Sequence, residues 1–590
     1  MSKYEKVIEL AKRRGFFWQA VEIYGGVRGF LDFGPLGVAL KLNIMEKWRK
    51  FFISQHQDFI VEIETPIIMP EVVFKASGHL EHFTDYIVEC TACGRKYRAD
   101  HLIEEKTGMK DLERLSAEEL TKIIRERNIR CPECNGELSD VRKFNLLFRT
   151  IIGPYSHNVG YARPETAQGM FLTFKRIYEI MRRKLPLGIA QIGKVLRNEI
   201  SPRQGPIRLR EFTIMELELF FDPEEPNCFL INKVIDDKIR VRRANSDKPI
   251  EITIGEALEE GIISTEWLAY FMAVGQRFVN SLGIPMTKQI FVEKAPEELA
   301  HYSVQTFDQC IELSRWGLVE VAGYAYRTDY DLTRHMKFSG VDLRAFKEYK
   351  KPMIRVRKVI KPLLNVMGPI LRERTKEIVA KLRAMDSQYV IKELEEKGYV
   401  EINGIKITAD MIKIEEEKVK ETGKRFIPHV AEPSFGLERL VYATLEYAYT
   451  EKEGRIVLKL PPDIAPISIA VFPLIQHEGM IRKAKEIYDM LVSEGFSVIY
   501  DESGSIGRRY ARADEIGVPL AVTVDGLTLE NNTVTLRDRD TWNQVRVHVD
   551  EIPEILRRFL RGEISFKDLE RRYGVVREHA TEGNREETKS

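Results

Sequence analysis

Two alternating runs, 188–200 and 211–221, are joined by Ser-Pro-Arg-Gln-Gly-Pro-Ile-Arg-Leu, a loop ending at Leu209. Alternation sends successive side chains to opposite faces, and a Pro/Gly-marked loop between two such runs predicts neighbouring antiparallel strands. No other feature constrains the fold as tightly. The first run ends in Val195-Leu-Arg197-Asn198-Glu199, and the second begins Arg210-Glu-Phe212-Thr-Ile-Met-Glu216. Period-2 geometry predicts Arg197 and Glu199 on one face of the first strand. It predicts Phe212, Ile214 and Glu216 on one face of the second. The loop adds Arg203 and Arg208.

A planar cation, an aromatic ring and a carboxylate on one rigid surface suit a nucleotide: Arg for phosphate, Phe for stacking, Glu for a base amine. A solvated sheet face with mixed Arg and Glu fits the same residues. Two more segments carry chemistry. In Glu432-Pro-Ser434-Phe-Gly436-Leu-Glu-Arg439 a strand runs through a Gly-marked turn into a helix with Arg439 in its first turn. A cation there opposes the helix dipole, which is easier to understand with an anion in front of it. Arg163-Pro-Glu165-Thr-Ala-Gln-Gly169 heads another helix, and taken alone it reads better as an ordinary capped N-terminus with a dipole-compatible Glu.

Cys90-Thr-Ala-Cys93 and Cys131-Pro-Glu-Cys134 are two C-x2-C pairs, with Gly94 and Gly136 shortly after. Four thiolates so arranged suit one closed, tetrahedral, structural zinc, about 2.3 Å from each sulfur. Four buried thiols or redox pairs are the alternative. Cys228 and Cys310 are expected to be core thiols.

At 590 residues the chain exceeds one core, and about 150 residues per domain predicts roughly four units. Lys and Arg total 91 against 90 acidic residues, a net charge of +1. A wholesale basic field is therefore excluded, and any nucleic acid must be met by local clusters. Candidate clusters are Lys175, Arg176, Arg182 and Arg183 on a helix over 171–184, and Arg508, Arg509 and Arg512. Each fits a solvated face as well. No stretch reaches the ~20 apolar residues of a membrane span, and the charged N-terminus lacks a signal peptide's apolar core. With six cysteines in so long a chain, no disulfide scaffold is expected and the cytoplasm is the expected location.

Together these segments resemble the signature motifs of class II aminoacyl-tRNA synthetases. The helix and strand ending at Pro66 resemble motif 1, Arg197 to Phe212 motif 2, and Gly436 to Arg439 motif 3. Longer phrases resemble the glycyl enzymes of the α2, archaeal and eukaryotic type: Gly29-Phe-Leu-Asp-Phe-Gly34-Pro35, Tyr97-Arg98-Ala-Asp-His101, Arg163 to Gly169, Arg197 to Arg203, and Glu432 to Gly436. The run from Gly504 to Gly517 resembles the anticodon-binding domain that these share with threonyl, prolyl and histidyl enzymes.

The resemblance implies an α+β fold: a catalytic domain on an antiparallel sheet flanked by helices, a C-terminal α/β anticodon-binding domain, and inserted modules. Catalytic segments are expected at 1–89, 146–222, 311–340 and 426–460. Insertions are expected at 90–145 (zinc knuckles), 223–310 and 341–425, the last two charged and mostly helical, with one helix over 370–384. The anticodon-binding domain is expected at 461–570, and a disordered polar tail at 571–590. The implied activity joins glycine, ATP and tRNA(Gly), in a homodimer formed through motif 1. ATP, with Mg²⁺, is expected on Arg197, Asn198, Glu199, Arg208, Leu209, Phe212, Glu320, Val321 and Arg439, with Arg197 and Arg439 catalytic. Glycine is expected among Arg98, Glu165, Glu216, Glu432 and Ser434. The competing readings are a threonyl- or prolyl-type enzyme and a synthetase-like protein that binds nucleic acid without catalysis.

Overall fold

The computed structural model describes residues 1–576 except Asp111, Glu113, Arg114, Arg203 and Asp247, and only the backbone of Arg355 and Val419. The loop residue Arg203 and the tail from 577 onward lie outside the described residues.

Nine strands form the central sheet: β1 (Ile60–Glu62), β2 (Leu187–Leu196), β3 (Glu211–Phe221), β4 (Lys238–Arg242), β5 (Ile250–Thr253), β6 (Gln289–Glu293), β7 (Gln305–Leu313), β8 (Gly317–Thr328) and β9 (His429–Gly436). Across the sheet they run β5-β4-β6-β7-β8-β9-β3-β2-β1. Pairing is antiparallel except for β1 with β2 and β4 with β6. The two alternating runs do pair antiparallel, Val195 opposite Phe212 and Gln191 opposite Glu216.

Strand parity then divides the residues of β3. Met215, Leu217, Leu219 and Phe221 enter the large core, together with one face of α1 (Pro35–Phe52) and most of α3 (Glu266–Ser281) and α4 (Leu437–Ala448). Phe212, Ile214 and Glu216 face the other way, into a cavity. On that second side α2 (Ala167–Ile180) covers only the far end, where Phe174 meets Phe220 at 4.4 Å between ring centroids. One close approach fixes α3 on the sheet: a Cβ on Gly275 would lie 1.7 Å from the Tyr324 hydroxyl. That hydroxyl donates to Gln309 at 2.7 Å, so the small residue lets a buried polar group keep its partner.

Several expectations need correction. Arg197 and Glu199 follow β2, which ends at Leu196, because the Pro/Gly loop breaks the ladder there. The segment 223–310 is no peripheral insertion: it supplies β4, β5, β6 and the start of β7, and α3 is almost wholly buried. Its short strands carry charge on their exposed side, which gave the segment a solvated composition.

Residues 344–427 form a compact unit by themselves. Its frame is a ribbon of two long strands, Ala345–Pro362 and Ile412–Phe426, and not a mostly helical module. Met353, Ile354 and Val356 are exposed among charges, so the ribbon has no single apolar face to announce it. The helix expected over 370–384 is two, Leu364–Leu371 and Thr375–Ala384, broken where Arg372 takes φ +48°.

The C-terminal elements enclose a five-stranded sheet. Val498–Tyr500, Ile469–Pro473 and Leu520–Val524 run parallel, and Thr533–Asp538 and Gln544–His548 continue it antiparallel. The final described helix, Phe566–Tyr573, extends past the expected boundary at 570.

Phe435 on β9 sets its ring edge-to-face against Phe278 and Tyr324 and tilted against Phe52, while Glu432 and Ser434 of the same strand face the cavity. Phe435→Ala is expected to cost about 3–5 kcal/mol in urea unfolding of the full chain. A cost below about 1 kcal/mol would remove Phe435 as the anchor of that strand.

Candidate active site

The cavity on the open side of the sheet has a volume of about 540 Å³. Residues far apart in sequence line it: Glu165 before α2; Arg197 and Glu199 after β2; Arg208 and Leu209 in the loop; Phe212 and Glu216 on β3. Glu320 and Val321 on β8, Glu432 and Ser434 on β9, and Arg439 on α4 complete the set. Two expected residues fall outside it. Asn198 uses its backbone N–H to bond Leu146, and Arg98 pairs with Asp100 at 2.8 Å and Asp85 at 3.4 Å. Arg98 thus stands behind the lining, joined to it through Asp85, which itself lines the cavity.

Cations and rings gather at one end. The Arg197 guanidinium lies 5.3 Å from the Phe212 ring and 5.7 Å from the Phe83 ring, and its Nε donates to the Pro164 carbonyl. Arg439 donates to the Ile207 carbonyl at 2.9 Å and to the Glu320 carbonyl at 2.8 Å, so it ties the loop to β8. Glu438 stabilises this helix N-terminus: it accepts from the Thr213 N–H and from Lys41, both at 2.7 Å. Beside Glu320 lie Asp308 and Lys294, paired at 2.7 Å. Burial first, and then Glu320, push Asp308 up to about 7 against the pull of Lys294.

Carboxylates gather at the other end around a guanidinium that sequence reasoning missed. Arg327, with 0% of its side chain exposed, bonds Glu432 at 2.7 Å, Asp331 at 2.9 Å and Glu165 at 3.4 Å. The Tyr302 ring lies 3.7 Å from it. Burial would raise Glu165, yet Arg327, then His79 and Gln168, hold it well below the usual carboxylate range. Glu432 is held well above that range by burial and by Glu216 and Glu165, which outweigh Arg327. Glu216 accepts from the Thr166 N–H at 2.8 Å and from the Thr166 hydroxyl at 2.5 Å. The available sequence signal for Arg327 was a lone cation in the otherwise apolar alternation of β8. Arg163 is structural: it donates to the carbonyls of Lys194 and Thr65.

The cysteine module is separate. The Cys90 and Cys134 sulfurs are 3.5 Å apart, those of Cys93 and Cys131 3.7 Å, and all four lie within 4.8 Å of one another. A tetrahedron with 2.3 Å bonds has edges of about 3.8 Å, so the donors fit one zinc.

The basic clusters are mostly committed elsewhere. Helix α2 ends at Ile180, so Arg182 and Arg183 lie beyond it at φ +57° and +55°. Lys175 donates to the Asp342 carbonyl at 2.8 Å, and Arg176 is exposed. Arg509 is buried and donates to the carbonyls of Pro473, Leu474 and Gly504, and Arg512 pairs with Asp501. Arg508 is exposed. No helix among the described residues is long and apolar enough to cross a membrane.

Residues 468–559 match the family described as anticodon binding domain. A protein of Aeropyrum pernix named glycine–tRNA ligase is 54% identical over 96% of this chain and 98% of its own length. Proteins of the same name from Pyrococcus furiosus (49% identical) and Methanocaldococcus jannaschii (46%) each match 95% of this chain and 99% of their own. Among solved structures, Giardia lamblia prolyl-tRNA synthetase in complex with prolyl-adenylate aligns with a TM-score of 0.51 at 14% identity. It covers 95% of this chain and 78% of that one. At that identity the likeness speaks for the fold alone.

Arg327→Met leaves Glu165, Glu432 and Asp331 without their shared counter-charge. The expected loss is about 3–5 kcal/mol of unfolding free energy, read by urea denaturation at neutral pH. A loss under about 1 kcal/mol would show that these acids do not depend on Arg327.

Proposed function

This chain belongs to the glycine–tRNA ligase family of class II aminoacyl-tRNA synthetases, and from that premise we propose how its cavity divides the work. The chain activates glycine with ATP and passes it to the 3′ end of tRNA(Gly). A glycine carboxylate oxygen attacks the α-phosphorus, and the bond to the bridging oxygen breaks, releasing pyrophosphate. A terminal ribose hydroxyl of the tRNA then attacks the glycyl carbonyl, and AMP leaves. No protein nucleophile is needed, so catalysis is positioning and charge stabilisation.

The observation that carries the assignment of roles is that one cavity is lined both by the guanidinium groups of Arg197, Arg208 and Arg439 and by the carboxylates of Glu165, Glu216 and Glu432. Arg197 takes the α-phosphate and the glycine carboxylate. Arg208 and Arg439 take the outer phosphates, with Arg439 exchanging its carbonyl partners for them. Phe212 stacks on adenine, and Arg439 partly covers its other face. Glu199 reads the exocyclic amine, with Leu209 and Val321 beside the base. Glu320, with Asp308 next to it, offers the hard oxygen donors that suit Mg²⁺, which would neutralise the phosphates there. Glu165, Glu216 and Glu432 with Ser434 surround the ammonium. Glycine offers nothing extra to grip, so alanine must be excluded by bulk. Tyr302 suits that task, because its ring is held against Arg327 and cannot withdraw.

Three finer readings go with this function. The four cysteines hold one structural zinc. A homodimer forms through the motif 1 region, where Val38 and Leu42 stand exposed one turn apart on α1, with Ile67, Ile68 and Val72 exposed nearby in sequence. The location is the cytoplasm, where tRNA and ATP are met.

Exchange of pyrophosphate into ATP, screened over all twenty amino acids, is expected with glycine alone, and Arg197→Ala is expected to lower it by about 10²–10³. Exchange with threonine or proline would retire the glycine assignment, and exchange with none would retire the ligase. Metal analysis is expected to give about one zinc per chain, lost in Cys90→Ser. Metal-free protein of unchanged melting temperature would remove the zinc.

A further inference from the structure

Behind the carboxylates that line the cavity lies one acid, Glu218, for which the reaction as described has no use. Glu216 and Glu218 on β3 and Glu432 on β9 each place a carboxylate oxygen within 4.8 Å of the others, and all three are buried. Two of them are satisfied: Glu216 by Thr166 and Glu432 by Arg327. Glu218 is not. It is 0% exposed and neither of its oxygens has a hydrogen-bond partner. The nearby cation is Arg327, which Glu165, Asp331 and Glu432 already share. Around these stand Tyr302 against Arg327, His79 at 3.5 Å from Glu165, and Gln168, which bridges Glu165 and Asp331 and meets His335. Five acids facing one guanidinium in a dry interior cannot all be ionised, because an unpaired buried charge costs more than the fold can return. Burial first, then Glu432, outweighs Arg327 at Glu218 and holds its carboxyl well above the ordinary range.

We propose that Glu218 is a positioning residue of the glycine pocket, holding a proton shared with Glu432 that is released to solvent when the glycine ammonium binds. The proposal rests on reading this end of the cavity as the glycine site. Glu432 lines the cavity and Glu218 does not, so the proton leaves through Glu432. The balance is simple: one positive charge enters as the ammonium, which keeps its three hydrogens, and one leaves as a proton passed to water and then buffer. Before glycine arrives the proton keeps the two acids from repelling each other. Afterwards Glu432, freed of the proton, accepts from the ammonium, and the ammonium's charge offsets the repulsion between Glu432 and Glu218. Glu218 acts through Glu432 and touches no substrate atom.

The test is calorimetric titration of glycine into the full chain at one neutral pH, in buffers of different ionisation heat. Wild-type protein is expected to release a measurable fraction of a proton per glycine bound, up to one. The glycine KM in pyrophosphate exchange is expected to rise about tenfold per pH unit on the acid side of the titration. In Glu218→Gln both the buffer-dependent heat and that acid limb are expected to be lost. Binding heat that does not vary with buffer in the wild type overturns the proposal, and it does so even if the variant fails to fold. Equal proton release in Glu218→Gln also overturns it, as would a tightly held divalent ion that disappears with Glu218 and not with the cysteines. Absence of both glycine heat and glycine-dependent exchange would instead sink the reading of the pocket.

Discussion

A guanidinium with no exposure to solvent, Arg327, is the interaction on which the rest of this site depends. Stripping water from a cation costs several kcal/mol, and only well-placed partners return it. The partners come from three separate places: Glu165 ahead of α2, Glu432 on β9 and Asp331 in the helix Tyr330–Ser339. One buried charge thereby fixes the end of α2 against two neighbouring strands. It also lets several carboxylates sit together where none could stay ionised alone, which a pocket for a small ammonium needs.

The sheet performs the sorting. On β3, alternate residues belong either to the apolar core under α1, α3 and α4 or to the cavity, and β9 repeats the division with Phe435 inward and Glu432 and Ser434 outward. Because β8, β9 and β3 are neighbours, Glu320, Ser434 and Glu216 share one surface although they are distant in sequence. Rigid strands suit the task better than loops would, since errors of about 1 Å in a charge-stabilising site are costly.

Much of this was legible in the sequence where a local rule governs. Alternation around Arg197 and Phe212 fixed the strand pair, and the Gly436 turn fixed the start of α4. The cysteine spacing brought four sulfurs together. The illegible parts are those decided by partners remote in sequence. Arg98 reaches the cavity only through Asp85, a pairing no local pattern announces, and Arg509 reads as a nucleic-acid contact until it is found buried under carbonyls. Strands β4 to β6 were hidden because they are short and β4 and β5 carry charge on their exposed positions, and the ribbon of 344–427 because neither of its faces is uniformly apolar. Arg327 and Glu218 were hidden for another reason: a charged residue in a strand reads as solvent-facing, and only partners remote in sequence show that both are buried.

With glycine placed at these carboxylates, as proposed, the size of the substrate would explain why so much charge is buried here. Glycine has no side chain from which to draw binding energy, so its ammonium and carboxylate must supply nearly all of it. Charge interactions have that strength only where water is excluded. Excluding water around three glutamates requires compensation by Arg327 or by a retained proton, since an empty pocket of bare carboxylates would destabilise the fold that holds it. The same dryness demands walls that cannot yield, and a ring such as Tyr302 pressed on a buried cation is such a wall. Affinity for the smallest amino acid and rejection of the next larger one are therefore two consequences of a single arrangement of buried charge.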